Sequence, residues 1–308
     1  MALYDVPAPA KINLFLHVTG RRDDGYHLLQ TAFRFIDLCD TLSFDLRRDG
    51  HVMREGEGLA GLAQEDDLVV RAARALQKAT GTQLGAQIRY RKTIPSGGGL
   101  GGGSSDAAST LIALNRLWQT GLGRQDLMRL ALPLGADVPV FIYGQPAFAE
   151  GVGEILSPLT LPERAYLVAQ PPQSVPTSGI FSSPDLTRNS PSVKISVFAD
   201  WQKNNAPDNG FFENGFFGRN DLEPVVFAKY PRVGAVHNWL LQQGLSARMS
   251  GSGSCFFAEF VTLEQALVCQ RQIIGKISCR ESDDAAAIQN AWACPGLMDH
   301  PLRSWISS

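Results

Sequence analysis

Cysteine is scarce and unpatterned in this sequence. The five cysteines, Cys39, Cys255, Cys269, Cys279 and Cys294, are odd in number, widely spaced and without a CxxC pair. That argues against a disulfide framework or a zinc site. No stretch approaches the roughly 18 consecutive apolar residues of a membrane-spanning helix. Residues Met1 to Ala10 lack a basic region followed by a long apolar run, so no secretory signal is expected. A reducing cytoplasm fits these absences best. There is no excess of positive charge either: 28 Lys plus Arg stand against 30 Asp plus Glu, a formal charge of -2. General nucleic-acid and membrane-surface binders carry a clear basic excess, so neither partner is expected.

The surplus is in glycine. Average usage of about 7% would give roughly 22, and the chain has 30. With 308 residues, 44% hydrophobic and 19% charged, the chain can build a packed core of one large domain or two ordinary ones. Ile12, Leu14 and Leu16 alternate with Lys11, Asn13, Phe15 and His17 as the two faces of a strand. A turn cluster at Gly20–Gly25 leads to an apolar run, Thr31–Leu38. The spacing of Leu68, Ala72, Ala75 and Leu76 predicts a helix, with the acidic Glu65, Asp66 and Asp67 at its start. Ala86–Tyr90 alternates as a strand. Ala107, Leu111, Leu114 and Trp118 predict a longer helix with an amphipathic face. Gln125–Leu132 reads as a short helix and Val138–Tyr143 as a strand. Two prolines near Ser157–Glu163 precede another strand, Ala165–Ala169, and mark a boundary between domains 1–160 and 161–308. Asn189–Arg219 reads as a loop, with Gly210-Phe211-Phe212 and Gly215-Phe216-Phe217 as near duplicates. The mixed order of strands and helices points to an α+β fold.

The glycine excess concentrates in Pro95-Ser96-Gly97-Gly98-Gly99-Leu100-Gly101-Gly102-Gly103-Ser104-Ser105. Without side chains, successive backbone N–H groups can turn onto one anion, and the following helix adds its unsatisfied N–H groups and dipole. Ser104 and Ser105 offer hydroxyls as caps or as ligands to phosphate or Mg²⁺. A flexible linker is a poor alternative between a strand and a helix start. A Walker A loop requires Lys-Ser/Thr after the last glycine, where this chain has Gly103-Ser104. Gly97, Gly99 and Gly102 satisfy GxGxxG formally, but the preceding strand, with Gln87, Arg89 and Arg91, is half polar, unlike the first strand of a dinucleotide-binding unit. An anion site for a nucleoside triphosphate is the reading that remains.

Pro95 to Ser105 resembles the ATP-binding motif of the GHMP kinases, the superfamily of galactose, homoserine, mevalonate and phosphomevalonate kinases. Ala8-Pro9-Ala10-Lys11-Ile12-Asn13-Leu14, Asp24-Gly25-Tyr26-His27-Leu28, Gly135-Ala136-Asp137-Val138-Pro139 and Ser250-Gly251-Ser252-Gly253-Ser254-Cys255 narrow the resemblance. They resemble the branch that phosphorylates a cytidine-diphosphate-tagged methylerythritol at its 2-hydroxyl, on the methylerythritol phosphate route to isoprenoids. The resemblance implies a two-domain fold, with an N-terminal domain like ribosomal protein S5 and a ferredoxin-like C-terminal domain. It also implies ATP and Mg²⁺ as cofactors and a small-molecule substrate.

Residue by residue, each implied role stands beside a plainer one. Lys11 is a solvated lysine or, by resemblance, the catalytic cation that stabilises the transferring phosphoryl group. Asp137 is a turn aspartate or, by resemblance, the base that accepts the proton of the attacking hydroxyl. Tyr26 and His27 are a packed aromatic and a surface histidine, or the stacking face and base-recognition partner of cytosine. Phe181 would close that aromatic sandwich, and Asn13 would bond the substrate. Gly251 and Gly253 are a hairpin turn or an N–H surface facing the substrate's phosphates, with Ser252 and Ser254 lining it. Cys255, without a basic neighbour, reads as a small buried hydrophobe. Asp66 and Asp67 stand where the family often has an Asn-Asp pair near adenine. Another GHMP small-molecule kinase, of homoserine or mevalonate type, and a non-catalytic GHMP-like ligand-binding regulator are the competing functions.

Overall fold

The computed structural model describes residues 1–56, 63–213, 215–277 and 287–307; Cys279 lies outside them. Its spine is one long hairpin. β1 (Ala2–Arg21) pairs antiparallel with β2 (His27–Arg47) around the turn that carries Gly25. The opposite edge of β2 takes three partners in succession: β5 (Ala147–Glu150) at Thr31–Phe33, β10 (Asn290–Leu297) at Phe35–Ile36, and β4 (Gly85–Arg91) at Thr41–Arg47. β3 (Val52–Arg54) extends the sheet beyond β4, and β6 (Ile155–Pro158) hangs from β5. Through β10 the sheet continues into β7 (Ala165–Gln170), β9 (Phe256–Phe260) and β8 (Arg248–Met249). Helices α1 (Leu68–Thr80), α2 (Gly102–Leu117), α3 (Arg124–Ala131) and α4 (Val138–Tyr143) cover the first half. α5 (Thr177–Phe181), α6 (Ile195–Asn204), α7 (Glu223–Lys229), α8 (Pro231–Gln242) and α9 (Leu263–Ile277) belong to the second.

Three buried clusters follow from this arrangement. The first joins the sheet to α1–α4 and includes Leu302 and Ile306 from the end of the chain. The second packs β7–β9 against α7–α9 and takes in Leu16 and Val18 of β1. The third lies between them, where Ile12, Leu14 and Phe15 meet Leu100, Cys255 and Phe257. No helix among the described residues is long and apolar enough to cross a membrane.

Four sequence expectations change. Val138–Tyr143 is helix and not strand: Pro139 sits in its first turn, and Gly144 closes it in the left-handed conformation with φ 80°. A short apolar run that is buried on all sides carries no period from which to choose. α2 does form, but every residue from Ser105 to Asn115 is buried, so it is a central helix without the expected polar face. The Asn189–Arg219 segment contains α6. Its Phe198 and Trp201 pack with Phe15, Phe212 and Phe217, while Phe216 packs on Phe212 and Phe257. Phe211 faces outward. Finally, the alternation of β1 breaks. Asn13 opposes Phe33 but Leu16 opposes Thr31, so β1 carries one extra residue, a bulge that reverses the phase. Phe15 joins the cluster of Ile12 and Leu14, and Leu16 comes round to the side of Lys11 and Asn13.

His300 supplies a test of this core. It lies edge-on to Phe35 and Phe141, and its Nδ1 accepts the Leu302 N–H at 3.1 Å. Burial, reinforced by the Arg124 charge, pushes its pKa down to about 3. An unfolded histidine titrates near about 6.5, so below that pH the unfolded chain binds a proton that the folded chain refuses. Stability from this site is therefore complete above about pH 6.5 and is lost as pH falls. We expect His300→Leu to flatten the drop in urea midpoint between about pH 7 and pH 5; His17 and His237, also depressed by burial, leave a residual slope. An unaltered slope would remove His300 from the account.

Candidate active site

The bulged strand, the glycine loop and the β8–β9 turn converge on a cleft of about 920 Å³. Lys11 is buried on β1 and its Nζ donates to Asn13 Oδ1 at 2.6 Å. The same ammonium lies 3.1 Å from Asp137 Oδ2 and 5.3 Å from the centre of the Phe33 ring. Asn13 is fixed in turn by donating from Nδ2 to Thr31 Oγ1 at 2.9 Å. Asp137 stands just before α4 with its side chain 36% exposed, so its carboxylate remains open to a ligand.

The glycine loop is held by its carbonyls. Leu100 O accepts from Lys11 N at 2.9 Å, and Gly97 O and Gly98 O accept from Ser254 N and Cys255 N, each at 3.1 Å. Gly99 O accepts from Ser250 Oγ at 2.9 Å. Gly97, Gly99 and Gly101 alternate in the left-handed region, with φ 67°, 72° and 72°. The N–H groups of Gly97 to Gly101 have no protein partner among the described residues, and all five residues line the cleft. Successive N–H groups arranged this way form an anion-binding concavity, completed by the first turn of α2. The two glycine motifs, read from sequence as separate loops, are thus bonded to each other. The second supports the first while Gly251 and Gly253 also line the cleft.

Of the residues singled out from sequence, Lys11, Asn13, Tyr26, His27, Pro95 to Ser104, Asp137, Phe181, Gly251 and Gly253 all border this one cleft. Ser105 does not. It is wholly buried in α2, with its Oγ unpartnered among the described residues. Tyr26 is 62% exposed at one end of the cleft, where the His27 and Phe181 rings meet with centroids 5.2 Å apart. Cys255 is fully buried and its thiol is pushed up by burial alone, as an inert hydrophobe requires. Asp67 caps α1 by accepting Val69 N and is bound by Arg54 and Tyr90, so its carboxylate serves the fold. Ser252 lines the cleft and shares a hydrogen bond with Thr177.

Two features escaped the sequence reading. Lys92 borders the cleft with its ammonium bound by Asp40 and Asp106, and Asp40 also accepts the N–H groups of Thr93 and Ile94. This clamp ties both ends of the glycine loop. Asp106 is pushed up to about 7, chiefly by burial, with Lys92 opposing the rise. The second feature is Arg188, whose Nε donates to His27 Nε2 at 3.0 Å. Only Asp106, following two serines, left a trace in a local motif.

The chain matches the GHMP kinases N terminal domain over residues 67–145 and the GHMP kinases C terminal model over residues 207–296. It is 59% identical to the 4-diphosphocytidyl-2-C-methyl-D-erythritol kinase of Bordetella parapertussis over 100% of both chains. Its structure is similar to a crystal structure of 4-(cytidine 5'-diphospho)-2C-methyl-D-erythritol kinase, with TM-score 0.76 and 32% identity over 96% of this chain and 99% of that one. A homoserine kinase from Cytophaga hutchinsonii shares the fold with TM-score 0.64 and 18% identity, over 97% of this chain and 95% of that one. The protein has the two-domain α+β fold of the GHMP kinases, a superfamily of ATP-dependent phosphotransferases. Within it, the chain belongs to the family of 4-diphosphocytidyl-2-C-methyl-D-erythritol kinases.

The loop geometry makes a discriminating prediction. A Cβ on Gly99 would lie 2.0 Å from Ser250 O at a positive φ, whereas one on Gly103 would meet nothing closer than Leu68 Cδ1 at 3.5 Å. Gly99→Ala should lose about 2 kcal/mol or more of unfolding free energy, and Gly103→Ala should match or exceed the parent by up to about 1 kcal/mol. Equal urea midpoints for the two variants would contradict the loop-to-turn contact.

Proposed function

We propose that the protein transfers the γ-phosphoryl group of Mg-ATP to the 2-hydroxyl of 4-diphosphocytidyl-2-C-methyl-D-erythritol, a step towards isoprenoid precursors. The observation that carries this reading is the Lys11–Asp137 pair at 3.1 Å, placed in one cleft between the glycine loop and the aromatic group of Tyr26, His27 and Phe181. Pro95 to Ser104 would cradle the triphosphate, with Ser105 acting behind them in the helix core. Gly251 and Gly253 would face the phosphates of the substrate, and Asn13 its polyol. Residues 1–160 would form the nucleotide and catalytic domain, and 161–308 the domain that closes on the substrate.

In the transfer, the 2-hydroxyl oxygen forms a bond to the γ-phosphorus, the bond from that phosphorus to the β,γ-bridging oxygen breaks, and ADP leaves. Lys11 stabilises the charge that spreads over the moving phosphoryl oxygens. Asp137 orients the hydroxyl and accepts its proton, and alignment contributes as much as proton removal in a loose transition state. Among the described residues no group of three or more His, Cys, Asp and Glu side chains could hold a metal alone. Ser104 and Asp137 both border the cleft as hard-oxygen donors, which suits an ion bound mainly by substrate phosphates and water. Ser104 and Asp137 would help hold such an ion, Mg²⁺, whose chemistry would be neutralisation of phosphate charge.

A cleft walled by Tyr26, His27 and Phe181 favours a nucleotide-tagged substrate over a bare polyol or amino acid, because a ring stacked on a base is worth about 1–3 kcal/mol. The test is to incubate the protein with Mg-ATP and the cytidine-tagged substrate and follow phosphorus NMR. ADP and a new phosphate monoester are expected; their absence would overturn the kinase reading in favour of a non-catalytic ligand binder. Lys11→Ala should lower turnover by about 10²–10³, and a variant within about threefold of the parent would take Lys11 out of the mechanism. Tyr26→Ala with Phe181→Ala should act mainly on KM for the tagged substrate. An unchanged KM would place the base elsewhere.

A further inference from the structure

Arg188 is a charge beside the aromatic group that the proposed reaction does not use. It lies half-buried in the segment between α5 and α6. Nε donates to His27 Nε2 at 3.0 Å, Nη1 to Leu186 O at 3.0 Å, and Nη2 to Ser183 O at 2.7 Å and Phe181 O at 3.1 Å. No carboxylate pairs with it among the described residues. The guanidinium therefore grips one imidazole and three carbonyls, and two of the four acceptors belong to His27 and Phe181, whose rings are in contact at one end of the cleft.

The chemistry of this contact fixes a proton. Arginine does not deprotonate in proteins, so Nε is the donor and His27 Nε2 must present its lone pair. The ring proton then resides on Nδ1. His27 stays neutral because burial first, and then the charges of Arg188 and of Arg21 at the end of β1, lower its pKa. Asp24, the acid in the adjoining turn, pairs with Arg22. His27 Nδ1 has no protein partner among the described residues, and the ring borders the cleft.

We propose that Arg188 is the positioning residue that makes the base cleft selective for cytosine, by locking His27 as the Nδ1–H tautomer and pinning the Phe181 carbonyl. A ring so locked offers the base edge a donor and never an acceptor. Cytosine presents acceptors at O2 and N3, whereas uracil carries a hydrogen on N3 and would oppose donor to donor. Mismatch of one buried polar group is enough for discrimination of a pyrimidine pair that differs so little in shape. This inference rests on the proposed cytidine-tagged substrate.

The experiment has two independent readouts. Nitrogen-15 NMR of histidine-labelled protein at about pH 7 should show His27 protonated on Nδ1 in the parent and a mixture of tautomers in Arg188→Met. Kinetics with cytidine- and uridine-diphosphate-tagged methylerythritol should show a cytidine preference that falls by about tenfold or more in Arg188→Met. The loss should fall on KM for the tagged substrate, more than on KM for ATP. In Arg188→Met the acid limb of the pH profile of KM for the tagged substrate should move to higher pH than in the parent, because one of the two charges that oppose His27 protonation is gone while burial and Arg21 remain. If Arg188→Met does not fold, the spectrum of the parent still decides the tautomer. Arg188→Lys, whose ammonium can donate to His27 Nε2 but lacks the fork that also holds the Phe181 carbonyl, should then keep Nδ1–H and lose part of the cytidine preference. A proton on Nε2 in the parent, or an unchanged tautomer and base preference in the variants, overturns the proposal. If neither tagged substrate is phosphorylated, it is the kinase reading that fails. Calorimetry with cytidine diphosphate against uridine diphosphate then decides the role of Arg188: the cytidine preference must be present in the parent and reduced in the variant.

Discussion

The bulge in β1 is the constraint on which the rest of the site depends. An extra residue between Asn13 and Leu16 leaves backbone groups that the β2 ladder cannot pair, and buried backbone groups must be paired somewhere. Most of the partners come from the other end of the chain. Arg248 donates to Leu14 O at 2.6 Å, Asn13 N donates to Ser250 Oγ at 3.3 Å, and Leu16 N donates to Arg219 O at 2.9 Å. Thr31 of β2 supplies the remaining donor, to Phe15 O. Arg248 is wholly buried and its pKa is lowered to about 10 by that burial, with Glu223 opposing the shift; it remains charged at neutral pH. The Nη1 that donates to Leu14 O also donates to Phe217 O, Nη2 donates to Gly218 O, and the guanidinium lies over the Phe216 ring at 4.6 Å. Satisfying one irregular strand therefore brings the second half of the chain against the first. It also brings the Gly251 turn to Lys11, so close that a Cβ on Gly251 would lie 3.5 Å from Nζ.

This constraint bears on how a chain with a formal charge of -2 would receive the proposed ligands, a triphosphate and a diphosphate. The carbonyls of Gly97, Gly98 and Gly99 are turned towards the β8–β9 turn, whose Ser250, Ser254 and Cys255 bind them. With the carbonyls engaged on that side, the N–H groups of these cleft-lining residues are left without a protein partner among the described residues. On the proposed reading, anion affinity would come from peptide dipoles at short range and would not require a basic surface, which acts at long range on many anions without distinction. The side chains that glycine lacks matter for the same reason: at Gly98 and Gly99 there is no room for a Cβ beside Cys255 Sγ and Ser250 O.

Much of this was legible in the sequence because it is local. The glycine run, the Asp67 cap ahead of α1 and the strand-turn-strand around Gly251 all express their physics within a few neighbouring residues. The helical state of Val138–Tyr143 was not legible, because burial on every side removes the polar residues that reveal a period. Nor was α6, whose Phe198 and Trp201 look like loop aromatics until Phe15, Phe212 and Phe217 are brought to them. The phase reversal at Leu16 depends on a bulge that no residue type announces. The Lys92 clamp joins positions 40, 92 and 106, and the Arg188 contact spans 161 residues. Such contacts belong to the fold and leave almost no imprint on spacing.

Two lysines border the cleft, and their surroundings divide the work between them. Lys92 is held by two buried carboxylates, so its ammonium raises no net positive potential, and moving it would strand Asp40 and Asp106 without their cation. Burial of an unpaired carboxylate is costly, which makes Lys92 a fixed brace for the two ends of the glycine loop. Lys11 is held by one amide oxygen and by the carboxylate of Asp137, which is 36% exposed. Water can solvate that carboxylate if the ammonium turns away, so releasing Lys11 costs far less than releasing Lys92. A cation in the proposed role, which would follow charge as it builds on the departing bridging oxygen, would use that freedom. What each would leave behind thus favours the proposed division, with phosphoryl stabilisation at Lys11 and loop support at Lys92.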